Sequence, residues 1–159
     1  MTTGVRAWRW GYAAAVWAGL FAAAHLYWAL GGSIGLAQSA GAELARDRPT
    51  WFVVLGLYGV ALLLALGAVL GVALAHGQRG RWMSRLLPFV GGGVAAVLVL
   101  RAVVVEALLL SDAGYGNGAV SPAERFWTLV LWNPWFLMGG VAFARAAMGA
   151  RRLPAGLGP

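Results

Sequence analysis

Apolar residues run along this chain in long stretches that polar residues barely interrupt, without the alternation of a half-buried strand or the one-sided stripe of a soluble helix. Crossing a bilayer core takes about 20 predominantly apolar helical residues. Four segments meet that requirement, roughly 10–30, 51–75, 88–110 and 126–148. The pattern predicts an all-α integral membrane protein, a four-transmembrane-helix bundle forming one domain over residues 1–159. The breaks between spans carry their own signals. "SPAER" places Ser121 at an N-cap, Pro122 at the first helical position and Glu124 at the third, a capping box that opens span four. Pro88 is expected to open span three in the same way. Asn117-Gly118 marks a turn, and residues 149–159 read as a disordered tail.

Composition agrees with a membrane protein and narrows the chemistry. Hydrophobic residues make up 61% of the chain, above the roughly 45–50% of soluble domains. There are no cysteines, which removes disulfides and thiolate metal sites. The five acids are scattered, so no metal is expected, and the spacing implies no cofactor. All 12 basic residues are arginine, which together with the weight of Ala, Gly, Leu and Val suggests a bacterial genome rich in GC.

The net charge of +7 does not point to nucleic acid, because most arginines flank the apolar spans. There they set direction. With the N-terminus inside, Arg6, Arg9, Arg79, Arg81, Arg85, Arg145, Arg151 and Arg152 collect on one side and Arg46, Arg48 and Arg125 on the other. The positive-inside rule then predicts both termini in the cytoplasm, in a bacterial cytoplasmic membrane. The first span follows Arg6 and Arg9 as a signal peptide would, but it is longer than the roughly 7–15 residue core of a cleavable one and is read as retained.

A helical rise of about 1.5 Å per residue turns sequence position into depth. From the outer end of each span, His25 lies roughly 8–10 Å deep, Tyr58 about 10 Å, Arg101 about 14 Å, Glu106 about 6 Å and Asn133 about 10–13 Å. All fall in the outer half. Charged groups inside a span cost about 2.5–3.5 kcal/mol on insertion scales, so they turn to the bundle interior and find partners there. Arg101 and Glu106 are five residues apart, about 140° around one helix, which prevents a stacked pair. At least one must be partnered across the bundle, by His25, Tyr58, Asn133, Glu43 or Asp47. A lone histidine in a span is as often a simple bridge between helices. Three ionisable groups at one depth favour a site.

The tryptophans divide in the same way. Trp8, Trp10, Trp51, Trp82 and Trp127 lie near span ends, where aromatic belts are ordinary. Trp28 is intermediate, and Trp17, Trp132 and Trp135 sit deeper, positioned to line a cavity or to pack against a neighbouring helix or lipid. In "LWNPWFLMGG", Pro134 cannot donate to the carbonyl of Val130, so a kink is expected there. Gly139 and Gly140, like Gly67 and Gly71, suit close helix packing.

The combination of "AHLYWALGG" closing span one, an arginine within span three and "WNPWFLMGGVAF" in span four resembles a family of small four-span bacterial membrane proteins, the domain of unknown function three-nine-nine-five. The likeness covers nearly the whole chain. It implies the four-helix fold and marks His25, Tyr27, Trp28, Gly31, Gly32, Arg101, Asn133, Pro134 and Trp135. In architecture alone the chain is also similar to small integral membrane terpene cyclases and sterol isomerases.

The expected function is acid-catalysed cyclisation or isomerisation of an isoprenoid-like molecule in a pocket on the outer-leaflet side. Taking a carboxyl out of water favours its neutral form, which makes Glu106 the candidate proton donor. Arg101 and His25 would tune it, Tyr58 and Asn133 would orient the substrate, and Trp28, Trp132 and Tyr27 would offer ring faces to a developing cation. The alternative is a non-catalytic module that binds a lipid or quinone, or assembles with a partner or a second copy. In that case Arg101 would hold a carbonyl or anionic group. The feature that separates the two is whether Glu106 faces an open cavity or is closed into a pairing with Arg101. A transporter is the weakest reading, because polar residues do not continue into the inner half and no repeat is present.

Overall fold

The computed structural model describes residues 2–76, 82–111 and 121–151, with side chains from residue 8 onward. The turn expected at Asn117-Gly118 and residues 152–159 of the expected tail lie outside the described residues. All regular structure among the described residues is helical. α1 covers Thr2–Ala29. The short helices α2, Leu36–Ala40, and α3, Ala42–Asp47, follow it. A π-helical stretch, Phe52–Gly59, then leads into α4, Val60–His76, and α5 covers Met83–Leu110. α6, Pro122–Trp127, passes through a second π-helical stretch, Thr128–Trp132, into α7, Asn133–Arg151.

Among the described residues three continuous helices, Phe52–His76, Met83–Leu110 and Pro122–Arg151, are long and apolar enough to cross a membrane. The protein is a helical membrane protein. α1 is equally long at 28 residues but is not one of these three. Its Trp, Tyr, Gly and His residues lower its hydropathy, and its position in the bundle explains why it carries them. α4 packs along α1, α1 against α7, and α7 against α5, so α1 and α7 are central while α4 and α5 hardly touch. Of the most apolar window of Phe52–His76, only 11% is buried within the protein. That outer helix must be apolar on almost every face, whereas α1 need not be.

The core is built from small and aromatic residues. Ala14, Trp17, Ala18 and Phe21 of α1 meet Leu74 of α4, Ala95 of α5 and Ala142, Phe143 and Ala146 of α7. Glycine sets the closest approaches. A Cβ at Gly71 would stand 2.6 Å from the backbone nitrogen of Ala15, and one at Gly139 would enter the ring of Trp17. These contacts hold α4 and α7 against α1.

Several local expectations change. The capping box forms as read: Ser121 Oγ accepts from the Glu124 N–H at 3.2 Å, and the Glu124 carboxylate accepts from the Ser121 N–H at 3.0 Å. Pro88 does not open its helix. α5 begins at Met83, and Pro88 sits inside it, almost wholly buried. Just before Pro134 the helix carries a widened turn that the sequence does not predict, with the N–H of Asn133 bonding to Thr128 O five residues back. A five-residue step lets a carbonyl pass over a proline four residues on. α7 runs to Arg151, beyond the position 149 at which the tail was expected to begin.

Candidate functional site

α1 ends where Gly31 takes φ +107°, a left-handed value that glycine adopts without a Cβ penalty. The chain then folds back over the bundle as α2 and α3. Two indoles pin this cap from below: Trp28 Nε1 donates to Ile34 O at 2.8 Å, and Trp132 Nε1 to Gln38 O at 3.2 Å. Leu36 is driven beneath it, 1% exposed, among Trp28, Phe52 and Leu57. Arg48 closes the turn. Its guanidinium donates to Trp28 O at 3.0 Å and to Gly32 O, placing a charged donor on carbonyls at and just beyond the C-terminal end of α1.

Under the cap lies a cavity of about 200 Å³. α1 lines it with Phe21, His25 and Trp28, the cap with Leu36, Ser39 and Ala40, and the first π-helical stretch with Phe52, Gly56 and Leu57. Arg101 of α5, Trp132 of the second π-helical stretch and Phe136 of α7 complete it. Both π-helical stretches therefore border the same space. Such widened turns recur at functional sites because they redirect side chains from the regular helical course.

The polar groups are fixed in distinct ways. His25 Nδ1 lies 2.9 Å from Phe21 O. A carbonyl oxygen only accepts, so Nδ1 carries the proton, and Nε2 is the acceptor of the neutral ring. Edge contacts to Phe21 at 4.6 Å and Trp28 at 5.1 Å between centroids hold the imidazole. The Arg101 guanidinium stands 3.7 Å over the Phe136 ring, a cation–π contact. It also donates through Nη1 to Asn133 Oδ1 over a long 3.4 Å. The other end of that amide donates through Nδ2 to Glu106 Oε2 at 2.6 Å, a short charge-assisted bond.

Asn133 thus joins the two charges that the α5 offset keeps from stacking. It is 4% exposed, the one buried polar or charged side chain among the described residues. The bond from Arg101 fixes its amide orientation, because a guanidinium only donates and so must face Oδ1.

The cavity gathers His25, Arg101, Trp28 and Trp132. It does not gather all of the expected set. Neither Glu106, which is half-buried, nor Asn133, to which it is bonded, is among the lining residues. Tyr58 is 43% exposed and absent from the lining. Tyr27 is equally exposed, and its ring covers Gly32, where a Cβ would collide with it. Trp135 packs inward against Trp17, whose Nε1 donates to Trp135 O at 2.9 Å.

Ser39, Phe21, Phe52 and Phe136 were not singled out from the sequence, although all line the cavity. Arg48 was read only as a loop charge. No spacing signal marks these residues. Ser39 and Arg48 belong to a fold-back of the cap, and an aromatic residue in an apolar run reads as packing.

The family described as "Protein of unknown function (DUF3995)" matches residues 18–143, a range that holds the cap and every residue lining the cavity. No curated protein and no solved structure matches the chain.

Proposed function

The chain belongs to the DUF3995 family, and we propose that its capped cavity binds the oxygen-bearing head of a lipophilic molecule, acting as a membrane-embedded binding module. The observation that carries this reading is the placement of Arg101. A guanidinium within a long apolar helix lines the same cavity as His25 and is held there by Asn133 and the Phe136 ring. A carbonyl or anionic oxygen is the group such a donor recognises. Ser39 adds a hydroxyl, and Phe21, Trp28, Trp132 and Phe136 supply aromatic walls.

Acid-catalysed cyclisation or isomerisation of an isoprenoid-like substrate is the second reading. What favours it is the short Asn133–Glu106 bond, which ties a carboxyl to the group holding Arg101. It requires Glu106 to act on a ligand although neither it nor Asn133 lines the cavity, and for that reason the binding role stands first.

In this proposal the bundle has four spans, with α1 as the fourth, both termini lie in the cytoplasm of a bacterium, and the cap faces outward. The absence of cysteine allows a direct check. A single cysteine at Ala45 should react with an impermeant maleimide in intact cells, and one at Ala150 only after permeabilisation. The reverse pattern would invert the topology.

Native mass spectrometry of gently extracted protein tests the function. The wild type should carry a lipophilic adduct, Arg101→Gln should lose most of it, and Glu106→Gln should keep the same molecule. A different, unconverted molecule in Glu106→Gln would establish the enzyme reading instead. Retention of the adduct by Arg101→Gln would remove the proposed head group contact.

A further inference from the structure

The cavity has an extension. Because α4 and α5 stand apart, an apolar groove of about 850 Å³ runs between them. Leu63 and Leu66 of α4 and Phe89 and Val97 of α5 form its walls, each more than half exposed. Phe21, His25 and Phe136 line both the groove and the cavity. The two spaces share these residues as a common border, and a molecule that passes beside the histidine would occupy both.

Resting on the reading that the cavity takes a polar head, we infer that the ligand is a quinone or quinol with a long prenyl or alkyl tail, its ring in the cavity and its tail in the groove. Three observations select this class over an anionic lipid. The first is charge: the positive guanidinium of Arg101 is joined through Asn133 to the carboxylate of Glu106. A site whose cation already has a nearby anion favours a neutral oxygen over a phosphate or carboxylate. The second is hydrogen-bond polarity, since Arg101 only donates while the neutral His25, with Nδ1 committed to Phe21 O, accepts at Nε2. A quinone carbonyl suits the first and a quinol hydroxyl the second. A carboxylate brings acceptors alone, as the oxidised quinone does, so this polarity selects the reduced quinol. The third is shape. Trp28 and Trp132 have their N–H groups bonded to cap carbonyls, so toward the cavity they present ring surface, which with Phe21 and Phe136 suits a flat conjugated head.

The test uses full-length protein in nanodiscs of a zwitterionic phospholipid free of quinone. The probes are a ubiquinone with two prenyl units, its tail-less ring analogue, and phosphatidic acid, each read by saturable quenching or shift of tryptophan emission and by native mass spectrometry. Gly93 lines the groove, and a Cβ there meets nothing within 4 Å, so the side chain of Gly93→Phe starts into open space and can obstruct the groove. This variant should bind the prenylated quinone about tenfold more weakly, the effect of taking about two methylenes out of burial. It should bind the tail-less ring as the wild type does. Arg101→Gln should weaken both, and if that variant fails to fold, His25→Leu, which keeps the bulk but removes the acceptor, should selectively weaken the reduced form.

Equal binding of the prenylated quinone by the wild type and Gly93→Phe would overturn the tail assignment. Saturable binding of phosphatidic acid without the quinone would leave the cavity reading in place and overturn the quinone. A dimer that Gly93→Phe dissolves, with no quinone bound, would give the groove to a second copy and overturn it as well. No binding of any probe would overturn both readings.

Discussion

At the end of the bundle that carries Gly11, α1 and α4 meet backbone to backbone. At the end that carries His25, side chains hold the helices apart. A Cβ at Gly11 would stand 2.6 Å from the Ala75 nitrogen, and Gly71 is as close to Ala15. Two turns further on, Phe21, His25 and Trp28 face Phe52, Leu57 and Trp132, and the space they leave is the cavity. The regular α-helical hydrogen-bonding pattern persists at the glycine end, while both π-helical stretches fall at the aromatic end. Small residues let the helices close, and bulky ones wedge them open. The polar groups inside the bundle fall on the open side, where Asn133 and the Phe136 ring offset the cost of Arg101.

The comparison is broken most severely at Asn133. Asn133→Leu would leave Arg101 and Glu106 without the amide that joins them, and the loss of two hydrogen bonds to charged groups should destabilise the protein by about 3 kcal/mol. Thermal unfolding in detergent measures this. An unchanged midpoint would mean that water or another group can replace the amide at no cost.

Gly71→Val tests the opposite end. Overpacking against Ala15 should cost about 2 kcal/mol, while ligand binding at the cavity, measured well below the unfolding temperature, should stay close to that of the wild type. A collapse of binding would show that the two ends are mechanically coupled rather than independent. Arg48→Ala is the mildest of the three. It should cost about 1 kcal/mol through lost C-terminal capping, and amide exchange should accelerate across residues 36–47 but not across 60–76. Uniform acceleration would place Arg48 in global stability instead of in the cap.

The spans over 51–75 and 126–148 were legible because a bilayer leaves length and hydropathy as nearly the whole signal. The capping box at Ser121 was legible because its hydrogen bonds are local. The need for a cross-bundle partner for Arg101 or Glu106 also followed from helical geometry alone, since five residues set them about 140° apart. Which residue filled that role did not follow, and neither did the absence of Glu106 from the cavity lining. When every face of a helix is apolar, no amphipathic stripe marks the side that turns inward.

The sequence by itself determined that the protein is helical and membrane-embedded, that His25, Arg101, Glu106 and Asn133 lie toward the same end of the bundle, and that the helix is irregular beside Pro134. Tertiary structure alone decided that α1 and α7 are central, that α4 and α5 part to leave a groove, that Asn133 joins the two charges, and that Ser39 and Arg48 belong to a cap over the site. The physical reason is that depth follows from counting residues along one helix. The facing of side chains depends on how several helices pack, through Gly71 against Ala15, Gly139 against Trp17, and the aromatic wedge around His25.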